Sequence, residues 1–447
     1  MENEVIKILY NWLGPRGPIP NTEVPNLLQV TAVSQTASTN SRHFWTDSIW
    51  HLIFCNKDGF DLGQTHYINP NQVFIYPIQM TWRIPFDNYF YFGSGIFEYS
   101  DTPNHVIHLI RCQNGFVLIE DSAEAHVTRN HLVCMHDYFQ QHNIPMNKVI
   151  YLTGCSNAPE LYEYWCLEKG YTRLDQKMIM VPYPISADSL SSYFHAYKPE
   201  VPEYDTERVP EKLFLSWNRR FREHRISMAL GLDKFGLVDR SYMSMGLVHP
   251  ENAFSEFPKS TSNFNSYYVG NLGITNEDVT NFRNKLPLVL DGETDTVKMC
   301  QDFEDKNRHY YQNSLVSIVT ETNFDAMEVT LTEKSFKPSK EKHPFIIVGA
   351  AGTLKAIREM GYQTFGDFWD EGYDLAQDPR ERLTRIIDTC KYIASWDENQ
   401  IKDFRRKVKP ILDYNYERLK IPPSVMVAKR VRDKIFTTLN NIKNGIV

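Results

Sequence analysis

The chain has 447 residues, of which 42 % are hydrophobic and 23 % are charged, and this balance excludes a disordered, collagenous or fibrous protein. Its net charge of −7 argues against a protein that coats a polyanion, although a local basic groove stays open. One hydrophobic core rarely grows beyond about 250–300 residues, so we expect at least two domains.

The cysteines and the apolar segments indicate the cellular compartment in which the protein is expected. Seven scattered cysteines without a CxxC pair argue against a disulfide framework or a structural zinc site and favour a reducing compartment. The amino terminus lacks the pattern of a secretory signal peptide. The longest near-apolar run, residues 344–354, is about half of the ~20 residues that cross a bilayer. We therefore expect a protein without a membrane span that resides in the cytoplasm, the host cytoplasm if the chain is viral.

The first half of the chain predicts strands that alternate with helices. A strand at Val5–Leu9 runs into a Gly/Pro-rich loop, residues 20–45 are loop-like, and residues 73–100 predict strands or packed loops. The next segments predict, in order, a buried strand, a helix, a strand, a helix and a strand: Phe116–Ile119, His131–Gln141, Lys148–Leu152, Ala158–Lys169 and Lys177–Val181. This alternation is typical of a parallel sheet built from βαβ units.

Residues 197–211, rich in proline and acidic residues, form the best linker candidate in the chain. After them, strands are predicted at Lys212–Ser216, Leu286–Leu290, Leu315–Val319 and Pro344–Val348. Helices are predicted at Arg222–Phe235, Thr332–Glu341 and Thr353–Met360, and from Asp378 almost to the end, with breaks near Pro410 and Pro422. The sequence therefore predicts an α/β protein with two domains of similar size and a helical tail.

A Thr-Glu-Lys run marks the first candidate binding site. Thr332 is placed to cap a helix, and Glu333 in its first turn suits the helix dipole. Lys334 opposes that dipole, which becomes sensible if an anion also binds at this helix start. The alternative is an ordinary helix start with a surface lysine.

The strand after this helix enters a small-residue turn, Gly349-Ala350-Ala351-Gly352, before another helix. Small residues allow a ligand to approach the backbone, so Gly349 and Gly352 indicate a second approach site for an anion or a ribose. An ordinary βα turn explains the pattern equally well.

A basic cluster follows the first strand of the second half. Arg219, Arg220, Arg222, His224 and Arg225 lie where a strand ends and a helix begins, and ligands bind at the carboxyl ends of strands in open α/β sheets. The guanidinium fork matches phosphate oxygens, so an anionic ligand is favoured over a solvated helix start.

An acidic cluster follows the buried strand of the first half. Glu120, Asp121 and Glu124 stand close to His126, and a carboxylate there can act as general base on a hydroxyl. Capping and solvation of a helix start are the competing explanation. Asp121 suits a helix cap, so Glu124 ranks first as the base, Asp121 second and His126 next.

Metal and nucleic-acid signals are weak. No pair among the histidines at 105–142 has the helical i, i+4 spacing together with a supporting acid. The acidic turn Asp291–Asp295 suits a divalent cation beside a nucleotide, but such turns are common. The basic runs at 405–409 and 429–434 are explained by solvated helix faces, with nucleic-acid contact as the minority interpretation.

The motifs of the second half resemble the donor-binding half of GT-B glycosyltransferases. TEKSFKP at 332–338, with HPFIIVGAAGTL at 343–354, is similar to the TEK-type motif of fucosyltransferase-like enzymes. It is closer still to a poorly characterised glycosyltransferase group of tailed phages and other large viruses, which residues 218–225 and 361–365 also resemble. The resemblance spans residues 212–375 or so and is faint over the first 200.

The resemblance implies two Rossmann-like domains that face each other across a cleft. The acceptor-binding domain would cover residues 1–205 and the nucleotide-sugar-binding domain 206–410, with helices at 411–447 packing back on the first domain. In TEK-type enzymes the glutamate holds the ribose and the lysine holds the diphosphate, and these roles carry over to Glu333 and Lys334. A further basic residue clamps the diphosphate, and the candidates are Arg219, Arg220 and Arg222. Such enzymes need no metal for catalysis and no cofactor besides the nucleotide-sugar donor.

The implied reaction moves a hexose or pentose from a UDP- or GDP-linked sugar to an acceptor hydroxyl. Some viral members modify hydroxylated pyrimidines in DNA, so the possible acceptors are nucleic acid, carbohydrate, lipid-linked groups and protein. The net negative charge of the chain argues mildly against DNA. Two alternatives stay open. One is a non-catalytic GT-B-like protein that binds nucleotide or glycan, and the other is a metal-dependent GT-A-type transferase that uses Asp291–Asp295.

Overall fold

The computed structural model describes residues 6–10, 60–64, 73–79, 104–112, 114–122, 127–188, 190–191, 200–218, 221–246, 270–290 and 307–446. The chain divides into two compact units. The first unit contains Met1–Ser189 together with Pro422–Val447, and the second contains Leu190–Ile421. The domain boundaries expected at 205 and 410 remain predictions.

The first unit is built on a parallel sheet. Its described strands and helices are, in chain order, β1 Ile6–Tyr10, β2 Phe60–Gln64, β3 Phe74–Gln79, α1 Asn104–Cys112, β4 Gly115–Asp121, α2 Arg129–Gln141, β5 Val149–Thr153, α3 Ala158–Lys169 and β6 Ile179–Pro182. The strand order is β2-β1-β3-β4-β5-β6, and every pair is parallel. Asp121 at the end of β4 is in register with Thr153 at the end of β5.

Alternate residues of these strands supply the two faces of the sheet, as the period of a strand requires. Val117, Ile119 and Tyr151 belong to a core with the buried faces of α2 and α3. Phe116 and Ile150 point to the other face, where the carboxyl-terminal helix of the chain buries one side. Both faces are covered at the two strands β4 and β5, where residues 116–119 and 149–152 are all apolar and buried.

The second unit contains a smaller parallel sheet. Its described elements are β7 Lys212–Asn218, α4 Glu223–Lys234, β8 Ser241–Met245, α5 Asn276–Arg283, α6 Arg308–Gln312, β9 Ser314–Thr320, α7 Glu333–Lys340, β10 Phe345–Val348, α8 Thr353–Glu359, α9 Pro379–Ala394 and α10 Glu398–Leu419. The strand order is β10-β9-β7-β8. The last helix of the chain, α11 Pro423–Lys443, belongs to the first unit. Two parallel α/β units and a long helical tail confirm the predicted fold class.

Two sequence-based predictions of local structure are wrong. Residues 286–290 form no strand, because Pro287 has no N–H to donate and Leu288 makes only an isolated antiparallel bridge with Met245. α10 runs through Pro410 without a break. Val408 and Leu412 on either side are buried, and the packing of α10 against α7 offsets the hydrogen bond that proline removes.

Candidate functional site

The strands of the second unit end side by side at one edge of the sheet, and polar side chains link their ends. The Thr320 hydroxyl donates to Asn218 Oδ1 over 2.6 Å, so the ends of β9 and β7 are joined. Asn218 Nδ2 in turn donates to Ser216 Oγ over 2.8 Å. All three side chains are buried, so they satisfy their hydrogen-bonding groups with one another and not with solvent.

A buried carboxylate follows β9 directly and secures the start of α7. Glu321 is 0 % exposed. Its Oε1 accepts hydrogen bonds from the Thr332 amide at 3.0 Å and the Ser335 hydroxyl at 2.5 Å. Its Oε2 accepts from the Thr332 hydroxyl at 2.7 Å and the Thr322 amide at 3.1 Å. Four donors compensate the burial of the carboxylate, which would otherwise be very unfavourable.

The helix start that Glu321 secures carries the predicted Glu-Lys pair. Thr332 is the N-cap of α7, and its hydroxyl accepts from the Lys334 amide at 3.4 Å, as its position in the sequence predicts. The Lys334 ammonium donates to Glu333 Oε1 at 2.9 Å and to Thr332 Oγ1 at 3.2 Å. Among the described residues these are its polar contacts, which leaves one of its three N–H donors for a further partner.

The Glu333–Lys334 pair is half-buried at the carboxyl edge of the sheet. Their side chains are 17 % and 31 % exposed, respectively. Burial raises the pKa of Glu333, but the charges of Lys334 and Lys337 outweigh burial and leave that pKa below its usual value. Glu333 therefore stays ionised at neutral pH, and an acceptor and a donor stand together where a ligand can reach both.

The turn over 349–352 is closely packed and capped from within. A Cβ at Gly349 would lie 2.8 Å from the Thr353 hydroxyl oxygen, and Gly352 has a φ of +88° that favours glycine. Asp374 accepts from the amides of Leu354 and Lys355 at 2.8 and 3.0 Å, so a carboxylate of the protein already occupies this helix start. The anion or ribose site expected at this turn stays a prediction.

The basic cluster after β7 contacts the loop that follows β9. His224 makes a hydrogen bond of 2.9 Å with the Glu321 carbonyl oxygen. Burial and the nearby Arg225 lower the pKa of His224 to about 4, so its imidazole is neutral at pH 7. The Arg225 guanidinium is buried and donates to the carbonyl oxygens of Thr320 and Glu321, each at 3.4 Å. These two residues hold the loop that carries Glu321.

The three predicted diphosphate-binding arginines are differently placed with respect to the described residues. Arg222 is exposed and donates to the Thr322 carbonyl oxygen at 3.0 Å. Arg219 and Arg220 lie outside the described residues. All three remain predictions as diphosphate ligands.

The acidic cluster of the first unit is described only in part. Asp121 is 1 % exposed, and its Oδ2 accepts from the Tyr151 hydroxyl over 2.6 Å. The described helix that follows is capped by Thr128, so Asp121 does not cap it. Glu124 and His126 lie outside the described residues. The ranking of Glu124 before Asp121 as general base therefore stays a prediction.

Further sequence signals can be placed within the described ranges. No group of three or more His, Cys, Asp or Glu side chains there is arranged to hold a metal ion, and Asp291–Asp295 lies outside those ranges. None of the described helices is both long and apolar enough to cross a membrane. In the basic run 405–409, Arg406 pairs with Glu207, and Lys409 pairs with Asp413, so these cations are compensated by acidic side chains.

Sequence reasoning missed two carboxylates of this edge, Glu321 and Asp374. Each accepts hydrogen bonds from the start of a helix that is remote from it in sequence. A capping residue is recognised from sequence only when it directly precedes its helix. One signal was available for Glu321: it directly follows a buried strand, at a point comparable to Asp121, the last residue of a strand in the first unit.

Comparison with known proteins returns solved structures of low similarity and no related sequence. No protein-family model matches the chain, and no curated protein does. The α,α-trehalose 6-phosphate synthase of Burkholderia multivorans superposes with a TM-score of 0.38 at 11 % identity, covering 93 % of this chain and 78 % of that one. The UDP-forming enzyme of Burkholderia vietnamiensis gives 0.38 at 10 %, covering 93 % and 81 %. The trehalose-6-phosphate synthase OtsA gives 0.36 at 9 %, covering 97 % and 99 %.

Proposed function

We propose that this protein is a GT-B-type glycosyltransferase that moves a sugar from a UDP- or GDP-linked donor to an acceptor hydroxyl. The observation that carries the proposal is the start of α7. There, a capped helix presents an ionised Glu333 at the carboxyl edge of a parallel sheet, together with Lys334, which has one N–H donor that no described residue uses. Ligands of open α/β sheets bind at that edge.

The two side chains match the two parts of a nucleotide sugar. A carboxylate accepts hydrogen bonds from ribose hydroxyls, and an ammonium group binds the diphosphate as a point charge. Glu333 and Lys334 also occupy the positions of the TEK motif, whose family gives them these same roles. Glu333 and Lys334 form an ion pair with each other. Donor binding would replace this ion pair with one contact from Glu333 to the ribose and one from Lys334 to the diphosphate.

The proposed mechanism divides the work between the units. The second unit would bind the nucleotide and stabilise the diphosphate as negative charge develops on the leaving group. The first unit would supply the general base, with Glu124 ranked before Asp121, because an acceptor hydroxyl must lose its proton as the new bond forms. No metal is assigned a role in this proposal.

The proposed reaction also requires a particular acceptor and a particular donor sugar. We propose a hydroxylated pyrimidine of viral DNA as the first acceptor to test, because the TEK segment resembles the viral group most. Carbohydrate, lipid-linked and protein hydroxyls form the comparison set. Hexosyl and pentosyl donors are to be tested side by side.

Donor hydrolysis by the purified protein without acceptor tests the proposal. A panel of UDP- and GDP-sugars should show slow release of nucleotide from one donor, and chelator should leave the rate unchanged. Binding without hydrolysis, and without transfer to any acceptor, would favour a non-catalytic nucleotide-binding protein. Loss of activity in chelator would favour a metal-dependent transferase.

A further inference from the structure

Glu321 is hydrogen-bonded to Thr332, the residue that precedes the Glu333–Lys334 pair. Direct donor binding does not explain why a carboxylate is buried at this position. It is fully buried, so it cannot touch a ligand in this conformation. All four of its hydrogen-bond donors come from the loop after β9 and the first turn of α7. Thr332 supplies two of them, one from the main chain and one from the hydroxyl.

The Thr332 hydroxyl connects Glu321 to Lys334. A hydroxyl has one proton and two lone pairs. The proton is donated to Glu321 Oε2 at 2.7 Å, so the lone pairs must face other donors. Both of those donors belong to Lys334: its amide at 3.4 Å and its ammonium group at 3.2 Å. Glu321 thereby fixes the direction in which Thr332 can accept.

We infer that Glu321 is a positioning residue of the donor site, which orients the Thr332 hydroxyl so that it holds the Lys334 ammonium for the diphosphate. This inference rests on the proposed function, because it takes the diphosphate as the ligand of Lys334. Glu321 acts through Thr332 and makes no contact with the substrate. The chain of contacts runs from Glu321 Oε2 through Thr332 Oγ1 to Lys334 Nζ.

Glu321→Gln tests this orientation with little change in volume. An amide nitrogen at the Oε2 position would donate to the Thr332 hydroxyl and occupy one of the two lone pairs that face Lys334 in the wild type. Thr332→Val removes the hydroxyl at nearly constant shape and should have the same effect. Thr332→Ser keeps the hydroxyl and should therefore lose less diphosphate affinity than Thr332→Val.

The readout is the ratio of affinities for a nucleoside diphosphate and the corresponding monophosphate, measured by calorimetry with UDP and UMP and with GDP and GMP. We expect Glu321→Gln and Thr332→Val each to weaken diphosphate binding about tenfold, with less than about a twofold change for the monophosphate. The double variant should lose no more than either single variant, because both changes break the same chain of contacts.

Ser314→Ala is the matched control for stability. Ser314 is also fully buried, at the opposite end of β9, and donates to the Tyr310 carbonyl oxygen at 2.7 Å. It should lower the melting temperature without changing the affinity ratio. If Glu321→Gln fails to fold, the Val and Ser variants at Thr332 carry the test.

The outcomes separate the inference from the proposed function. Equal losses for diphosphate and monophosphate, additive losses in the double variant, or an unchanged ratio in Thr332→Val would overturn the positioning role and leave the donor site standing. A wild-type protein that binds none of the four nucleotides would overturn both.

Discussion

The two units bury a carboxylate at the same point of their sheets, and they use it differently. Asp121 ends β4 in the first unit, and Glu321 follows β9 in the second; they are 1 % and 0 % exposed. Glu321 accepts four hydrogen bonds from the adjoining loop and the next helix. The contact of Asp121 that the structure describes comes instead from its own sheet, where its Oδ2 accepts from the hydroxyl of Tyr151 on the neighbouring strand.

Burial of an acidic side chain at a strand end therefore does not by itself determine its function. Glu321 is bound to a helix start, and that helix start carries candidate ligands, so its contribution is to position them. Asp121 is bound within its own sheet. Burial and the charge of Asp121 raise the pKa of Tyr151 well above its usual value, so the phenol keeps its proton and remains a donor to Asp121. Such an acid is firmly held and has little exposed surface for an acceptor hydroxyl to reach.

The largest expected effect tests the acidic cluster of the first unit. Glu124→Gln should lower turnover by about 10²–10⁴-fold at unchanged donor affinity, because proton transfer is lost while the second unit is intact. Asp121→Asn should have the smaller effect of the two. Initial rates at saturating donor, with calorimetry of donor binding, measure both quantities.

Glu163→Gln is the control for that experiment, since it removes an exposed carboxylate that pairs with Lys177 on the surface of the same unit. Its turnover should equal that of the wild type. Near-normal turnover in both Glu124→Gln and Asp121→Asn would move the base elsewhere, with His126 the next candidate.

The second prediction tests the cations of the second unit. Lys334→Ala and Arg220→Ala should each weaken nucleotide-diphosphate binding by roughly 1.5–3 kcal/mol, about 10- to 150-fold, through loss of a charge-assisted contact. Lys355→Ala removes an exposed lysine that pairs with Glu359, and it should leave affinity unchanged. If both Lys334→Ala and Arg220→Ala bind UDP and GDP like the wild type, Lys334 and Arg220 do not belong to the donor site.

The third prediction separates the two members of the Glu-Lys pair. Glu333→Ala should weaken binding of UDP or GDP about tenfold whether or not a sugar is attached, because the ribose contact is common to both. Glu359→Ala serves as the control, as an exposed acid of α8. A loss seen with nucleotide sugars but absent with the free nucleotides would assign Glu333 to the sugar instead of the ribose.

The smallest expected effect concerns stability and not the site. His136 lies in the core of the first unit, where its ring makes a hydrogen bond of 2.9 Å with the Tyr162 hydroxyl. Burial lowers its pKa to about 4, so between there and the ordinary value of ~6.5 the unfolded chain binds one proton more than the folded chain. The free energy of unfolding therefore falls as pH drops through this range, by about 1.4 kcal/mol per pH unit from this histidine.

His136→Gln keeps an acceptor for the Tyr162 hydroxyl and cannot titrate. Urea unfolding at several pH values between 4 and 7 should show a flatter dependence than in the wild type, by one proton. Equal slopes for the two proteins would show that His136 does not titrate differently on folding.

Local signals predicted much of the fold. The limits of α3 were predicted correctly as Ala158–Lys169, because Pro159 stands in the first turn and Gly170 follows the last residue with a φ of 71°. Thr332 was likewise recognisable as a cap, since it directly precedes its helix. Helix ends of this kind are determined by residues that are adjacent in sequence.

Features that depend on distant residues could not be predicted in this way. Pro410 is accommodated within α10 because of what the helix packs against, and a pattern of neighbours contains no such information. The role of Glu321 depends on Thr332, eleven positions further along, and on the Ser335 hydroxyl. His224 and Arg225 of the basic cluster make hydrogen bonds to main-chain carbonyl oxygens of the loop after β9, and a pattern of neighbouring residues does not reveal these long-range contacts.

A crystal structure with a bound nucleotide sugar from a UDP and GDP panel is the most direct test of the central claim, that the start of α7 is the donor site. A diphosphate oxygen should lie within about 3.2 Å of the Lys334 ammonium nitrogen, and a ribose hydroxyl should donate to Glu333. The 2.9 Å contact between Glu333 and Lys334 should lengthen as each takes up its ligand. A nucleotide bound elsewhere, with that ion pair unchanged, would contradict this claim.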